Sequence, residues 1–210
     1  MSKLRQRKKE QTTRQILAAA SRMFQELGYD KTRIEDIAAL ADLSAQTFYN
    51  YFPSKADVLL ASINAESEAV LTQGEACINT AHRSAKEAFG ALVRGYFTTS
   101  FSTTSRYMWR IALARVVTDP NAGFSESYRQ IDARLTDQVC RLIDALQSKA
   151  LIRKDIDARA IGELLFNNVN MNFIIYIQSD TLTSDDVSSA VDRQSATIFH
   201  LISMEPTTFV

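Results

Sequence analysis

Positions 46–55 gather Gln46, Thr47, Tyr49, Asn50, Tyr51 and Lys55, two carboxamides, three hydroxyls and an ammonium, into one short stretch. The chemistry this offers is hydrogen bonding. A Gln or Asn amide can pair bidentately with adenine, and hydroxyl and ammonium groups hold phosphate oxygens. At roughly 100° per residue, Phe48 and Phe52 fall on one face of a helix, Gln46 and Asn50 on the opposite face, and Thr47 and Tyr49 on its flanks. The polar tips therefore point away from whatever core the rings enter.

The elements that position these groups can be read from caps and breakers. Thr32 and Glu35 have the spacing of a capping box. Ile34, Ile37, Ala38 and Ala41 then give a first short helix a buried stripe. Asp42-Leu43-Ser44 breaks it, and Ser44 is a natural N-cap for a second helix beginning at Ala45. Pro53 ends that helix, and Ser54 with Asp57 caps a third, which places Lys55 in its first turn, where helix amides and an ammonium together attract phosphate. Upstream, Ile16, Leu17, Ala20, Phe24 and Leu27 recur at helical spacing up to Gly28, a residue suited to a left-handed C-terminal cap. That helix braces the pair by burying Ile16 and Phe24 against Ile37, Phe48 and Phe52, with Tyr29 in the same small core. Two short helices around a three- to four-residue turn, the second with an outward polar face, make a helix-turn-helix, whose second member lies in the DNA major groove.

Charge is distributed accordingly. The 210 residues carry 24 Lys/Arg and 24 Asp/Glu, a formal net of zero. Residues 1–55 hold ten basic against six acidic side chains, and the remainder fourteen against eighteen. Lys3, Arg5, Arg7, Lys8 and Lys9 crowd the first nine positions, so only the front of the chain is expected to meet a polyanion. Residues 1–10 have no apolar stripe and are expected to be a mobile arm that tracks phosphates or enters the minor groove. Cys77 and Cys140 lie outside any metal or redox spacing and are expected to be reduced core residues. No signal peptide or membrane span of about 20 apolar residues is present, which points to a cytoplasmic protein without a membrane partner.

The segment TRIEDIAALADLSAQTFYNYFPSKADVL resembles the DNA-binding segment of the TetR family of bacterial transcriptional regulators. The resemblance covers residues 10–60, including Gly28-Tyr29, the Ile37, Ala38, Ala41 helix, and the run Phe48, Tyr49, Tyr51, Phe52, Ser54, Lys55. Asp42 stands where glycine is usual, and Arg33 where a small hydroxyl residue is frequent. The resemblance implies an all-α fold: a three-helix helix-turn-helix domain at 1–53 and a larger ligand-binding and dimerisation domain at 54–210. It also implies a homodimeric regulator, a repressor released from a near-palindromic operator by a small molecule. Gln46, Thr47 and Asn50 are the expected base readers. Arg33, Tyr49, Tyr51 and Lys55 are the expected phosphate contacts, supported by Lys3, Arg5, Arg7, Thr32, Ser44 and Ala45. Aspartate visits positive φ readily, so the turn should survive at Asp42.

The body is helical throughout by periodicity. A rod from Ser54 to about Asn79 is followed by helices at 84–103, 106–117, 124–151, 157–177 and 185–203, with a breaker run at 118–123. The helix around Leu164, Leu165, Val169, Met171, Phe173, Ile174 and Ile175 is apolar nearly all round and must be covered on both sides. One side lines the interior. The other, with Val187, Val191, Ile198, Leu201 and Ile202 of the last helix, is expected to form a four-helix interface with a second copy. Tyr96, Phe97, Phe101, Trp109, Phe124, Tyr128, Phe166 and Phe173, with Asn167 and Asn170 as polar groups, are the expected lining for a moderately apolar or aromatic ligand. Arg110 and His82 are further candidates for an acidic group. No cofactor is expected.

Other classes fit less well. Against an enzyme, the chain offers two histidines, no HExxH, no G-x-S-x-G, no phosphate loop and no carboxylate cluster at metal-ligand spacing. A helical protein-binding adaptor leaves the basic front and the polar helix face unused. An activator of the same family remains the nearest alternative to a repressor.

Overall fold

The computed structural model describes residues 3–101 and 104–204. Among these lie nine α-helices: α1 (Lys3–Leu27), α2 (Ile34–Leu40), α3 (Ala45–Tyr49), α4 (Lys55–Ile78), α5 (Ala85–Ser100), α6 (Arg106–Thr118), α7 (Gly123–Ser148), α8 (Ala158–Gln178) and α9 (Ser184–Ile202). The caps follow local chemistry. Ser44, Ser84, Ser105 and Asp157 each accept a backbone N–H at a helix start, and Thr183 with Asp186 forms a full capping box. The end of the expected fifth helix, at Thr103, lies outside the described residues.

Two compact units divide the chain. The first comprises residues 1–66 and 103–128, the second residues 67–102 and 129–210. In the first unit, Ile16, Ala20 and Phe24 of α1, Ile37 and Ala38 of α2, Phe48 of α3, and Val58, Leu59 and Ile63 of α4 are buried. α6 belongs to this unit too. Its Tyr107 hydroxyl donates to Asp30 Oδ2 at 2.9 Å, and its Met108, Trp109 and Ala112 are buried. Periodicity along one helix carries no information about such a long-range docking.

The second unit packs α5 and α8 against α9. Its core includes Phe89, Leu92, Val93, Phe97, Leu142, Ile143, Leu146, Leu165, Val169, Val191 and Phe199. Gly162 permits α8 to approach α7, since a Cβ there would lie 2.6 Å from Cys140 Cα. Gln138 is a buried polar hub: its Oε1 accepts from the Tyr96 hydroxyl at 2.7 Å, and its Nε2 donates to Leu71 O and Glu75 Oε1. Closing every bond of a buried amide removes a cost of about 1–3 kcal/mol per unsatisfied group.

Several expectations are corrected here. Residues 3–10 are not an extended arm but the first turns of α1, because Lys, Arg, Gln and Glu are good helix formers and extend an existing helix at little cost. Of the expected interface residues, Leu165, Val187, Val191 and Ile202 are buried within the single chain, on the faces that α8 and α9 turn to the core. Ile198 is half-buried against the same core. Asn167 is exposed, so it lies on the outer side of α8 rather than toward the interior.

Candidate nucleic-acid interface

α2 ends in a tight, fully hydrogen-bonded turn. Leu43 N donates to Ala38 O at 2.8 Å and Asp42 N to Ala39 O at 3.1 Å, with Asp42 at φ 56°. This is the Schellman arrangement, whose left-handed residue is usually glycine; aspartate tolerates it at modest cost. The chain then reverses into α3, where Ser44 Oγ accepts Thr47 N at 3.1 Å. Phe48 is fully buried, 6.0 Å from the Phe52 ring, while Gln46, Tyr49 and Asn50 are exposed. Phe48 thus faces the core and Gln46 faces solvent, while Asn50 caps the end of α3 and Phe52, half-buried, lies just past it. Truncating a ring as buried as Phe48 to alanine would cost about 3–5 kcal/mol.

The basic turns of α1 flank this face. Arg5, Lys8 and Lys9 line an open concavity of about 440 Å³ together with Thr47, Asn50 and Tyr51. Lys8 and Lys9 were visible as part of the basic front, but only a helical α1 sets them beside α3. Lys3 and Arg7 are exposed on the same turns. Arg33 is exposed and forms a 3.5 Å ion pair with Glu35, too solvated to hold it firmly. Ala45 is half-buried in the first turn of α3.

Two expected DNA contacts have other roles. Thr32 is only 1 % exposed, and its hydroxyl donates to Gly28 O at 2.8 Å, with Met23 O at 3.1 Å. It closes the α1–α2 connection and does not build the expected capping box: the N-cap of α2 is Arg33, without a side-chain bond. Lys55 points into the same connection. Its Nζ donates to Tyr29 O at 2.7 Å, Thr32 O at 3.0 Å and Asp30 O at 3.2 Å, and lies 4.4 Å from the Tyr29 ring centroid. An ammonium has three donors, and here all three meet carbonyls, which leaves none for a phosphate.

The expected ligand residues are distributed over both units. Phe97, Phe101 and Phe173 cluster with Tyr176 in the second unit, where Phe101 and Tyr176 meet edge to face at 4.8 Å. Tyr96 and Phe166 are buried there, and burial pushes the Tyr96 hydroxyl well above the usual phenol range. Asn170 is half-buried. Trp109, Phe124 and Tyr128 belong to the first unit, the last two with centroids 6.4 Å apart.

A short helix with a polar exposed face, held at a fixed angle by a capped turn and flanked by basic turns, defines a helix-turn-helix protein. Residues 16–62 match the family described as bacterial regulatory proteins, tetR family. It is a family of regulators, not of enzymes. Over 68 residues, 32% of this chain, it is 40% identical to the HTH-type transcriptional regulator TcmR of Streptomyces glaucescens, and this stretch spans 30% of that protein. Its fold is similar to a TetR-family regulator of Pectobacterium atrosepticum, with a TM-score of 0.73 and 20% identity over 98% of this chain and 100% of that one. It is also similar to a regulator of Saccharomonospora viridis in complex with choline, with a TM-score of 0.69 and 22% identity over 93% and 100% of the two chains. Among the described residues, no helix is long and apolar enough to cross a membrane.

Proposed function

We propose that the protein is a cytoplasmic, homodimeric transcriptional repressor that reads a near-palindromic operator and is released by a small, moderately apolar or aromatic ligand. The observation that carries DNA reading is the face of α3. Gln46 and Asn50 are presented to solvent by a helix whose Phe48 is fully buried, with Arg5, Lys8 and Lys9 alongside Thr47, Asn50 and Tyr51. The two carboxamides read base edges, and the basic side chains hold phosphates and set register.

Dimerisation rests on the outer faces of α8 and α9. Leu164, Met171, Ile175 and Leu201 are 52%, 57%, 44% and 64% exposed, and α8 carries no charged side chain from Leu164 to Gln178. In a two-fold interface the same patch meets itself, so a charge-free apolar face suits a second copy of this chain. The choline complex of the Saccharomonospora protein supports a small-molecule effector in general terms. The aromatic cluster of Phe97, Phe101, Phe173 and Tyr176 supports an apolar or aromatic one. Such an effector acts only through its differential affinity for the two states of the protein. α4 is the element through which it acts, because its first turn is pinned to the α1–α2 connection by Lys55. A gel shift on the DNA upstream of the protein's own gene tests the proposal. A retarded complex that survives excess unrelated duplex is expected; retardation equal on every duplex would refute sequence reading.

A further inference from the structure

In the second unit, the C-terminal half of α4 is gripped by polar side chains of α7 and α5 as well as by apolar packing. Arg134, Gln138 and Arg141 follow one another along one face of α7 and meet successive turns of α4. Arg134 pairs with both carboxylate oxygens of Glu68, through Nη2 at 2.9 Å and through Nη1. Gln138 is fully buried, and its Nε2 donates to Leu71 O at 2.8 Å and to Glu75 Oε1 at 2.6 Å. Arg141 pairs with Glu75 through Nη1 at 2.8 Å and through Nη2. From α5, the Tyr96 hydroxyl donates to Gln138 Oε1 at 2.7 Å, and the Thr99 hydroxyl donates to Gln73 Oε1. Gly74 leaves the space that the amide fills, since a Cβ there would lie 2.5 Å from Gln138 Cδ.

None of these bonds is needed for α4 to be a helix, and an apolar pair of similar volume would fill the same space without a buried carboxamide to satisfy. What the polar set supplies is register. Hydrogen bonds weaken steeply outside a narrow range of distance and angle. Any other rotation or axial setting of α4 parts both Arg–Glu pairs and brings a β-carbon, in place of Gly74, against Gln138. Leu71 lies about 24 Å along α4 from Lys55 at 1.5 Å per residue. A tilt of about 5° at Leu71 therefore moves the first turn of α4, which Lys55 ties to the α1–α2 connection, by about 2 Å. That exceeds the tolerance of about 0.5 Å within which a binding constellation must be held.

We infer that Gln138 is a positioning residue for DNA binding: keyed against Gly74 and braced by Tyr96, it fixes the rotation and axial register of α4 that the DNA-binding state requires. This rests on the DNA-reading function proposed above and deepens it, by naming buried side chains that set operator affinity without reaching DNA. Loosening the key spreads α4 over several settings, and the apparent Kd rises by the inverse of the fraction still competent.

The test is an anisotropy titration of the full chain, as wild type, Tyr96→Phe, Gly74→Ala and Phe199→Leu, against the duplex upstream of the protein's own gene, with melting temperatures measured alongside. Phe199→Leu trims a buried ring that packs 5.4 Å from Phe89 and is the control for lost stability alone. Tyr96→Phe and Gly74→Ala are expected to weaken operator binding about five-fold or more, with the slope of log K against log salt unchanged because no phosphate contact is removed. Phe199→Leu should stay within about two-fold of wild type. Gly74→Ala/Gln138→Ala removes the clash and the key together and should remain weak. Operator affinity within about two-fold of wild type for Tyr96→Phe and Gly74→Ala, or affinity restored in the double variant, overturns the inference and leaves the DNA-reading function in place. A wild type that binds every duplex alike overturns that function and the inference with it. If Gly74→Ala does not fold, Tyr96→Phe, which removes a single oxygen atom, carries the comparison with Phe199→Leu.

Discussion

The ammonium of Lys55, at the first residue of α4, donates to the carbonyl of Tyr29, 26 positions earlier, at 2.7 Å and sits over the same residue's ring at 4.4 Å. With Thr32 O and Asp30 O as further acceptors, this one side chain ties α4 to the connection that orients α2 and α3. Lys55→Met is expected to destabilise the protein by about 2 kcal/mol, the scale of hydrogen bonds to a charged group. It should weaken DNA binding without changing the slope of log K against log salt. A slope reduced by about one would instead place Lys55 on a phosphate.

The turn at Asp42 makes a second prediction. At φ 56° a β-carbon without a compensating polar tip is disfavoured by about 1–2 kcal/mol. Asp42→Ala should therefore lower stability by about 1 kcal/mol, while Asp42→Gly leaves it within a few tenths of wild type. Chemical denaturation of the two variants checks the difference.

Glu75 carries a pH dependence. The Arg141 guanidinium, paired with it through Nη1 at 2.8 Å and through Nη2, lowers its carboxyl from 4.5 to about 2, and Gln138 adds a hydrogen bond. A depressed folded-state value means that the stabilisation is present above pH 4.5 and is lost as pH falls toward 2. Both side chains are partly solvated, so the contribution is about 1 kcal/mol. Glu75→Gln should be less stable than wild type at pH 7 and equal to it near pH 2, as read by denaturant midpoints at both pH values.

Lys8 and Lys9 extend the proposed interface beyond the helix-turn-helix. Replacing both with alanine should weaken binding to operator and unrelated duplex alike and reduce the salt slope by about 2. Fluorescence anisotropy at four salt concentrations measures it. No loss of slope would place these side chains away from the phosphates.

What could be read from the chain alone was local. Ser44 as N-cap, the break at Asp42, the stop at Gly28 and the burial of Phe48 all follow from residue types a few positions apart, and the helices of the body begin and end within about three residues of where their breakers stand. The roles of Thr32 and Lys55 were hidden because their partners are main-chain carbonyls, which carry no residue-type signal at any spacing. The sides of α8 were ambiguous for a related reason. A helix apolar all round does not reveal that Leu165 faces inward and Leu164 outward until α9 is docked on it. Residues 3–10 form helix rather than an arm because, although the segment is charged and stripe-free, its residues favour helix once α1 supplies the nucleus.

The most direct measurement is an anisotropy titration of wild type, Gln46→Ala and Asn50→Ala against the upstream duplex and a set carrying single base-pair changes. Wild type should discriminate the changes by about 1–3 kcal/mol at a few positions, and each variant should lose that discrimination at its own base pairs while keeping its affinity for unrelated DNA. Equal affinity of wild type for every duplex, or variants that discriminate as wild type does, would contradict the assignment of the α3 polar face as the reader of sequence.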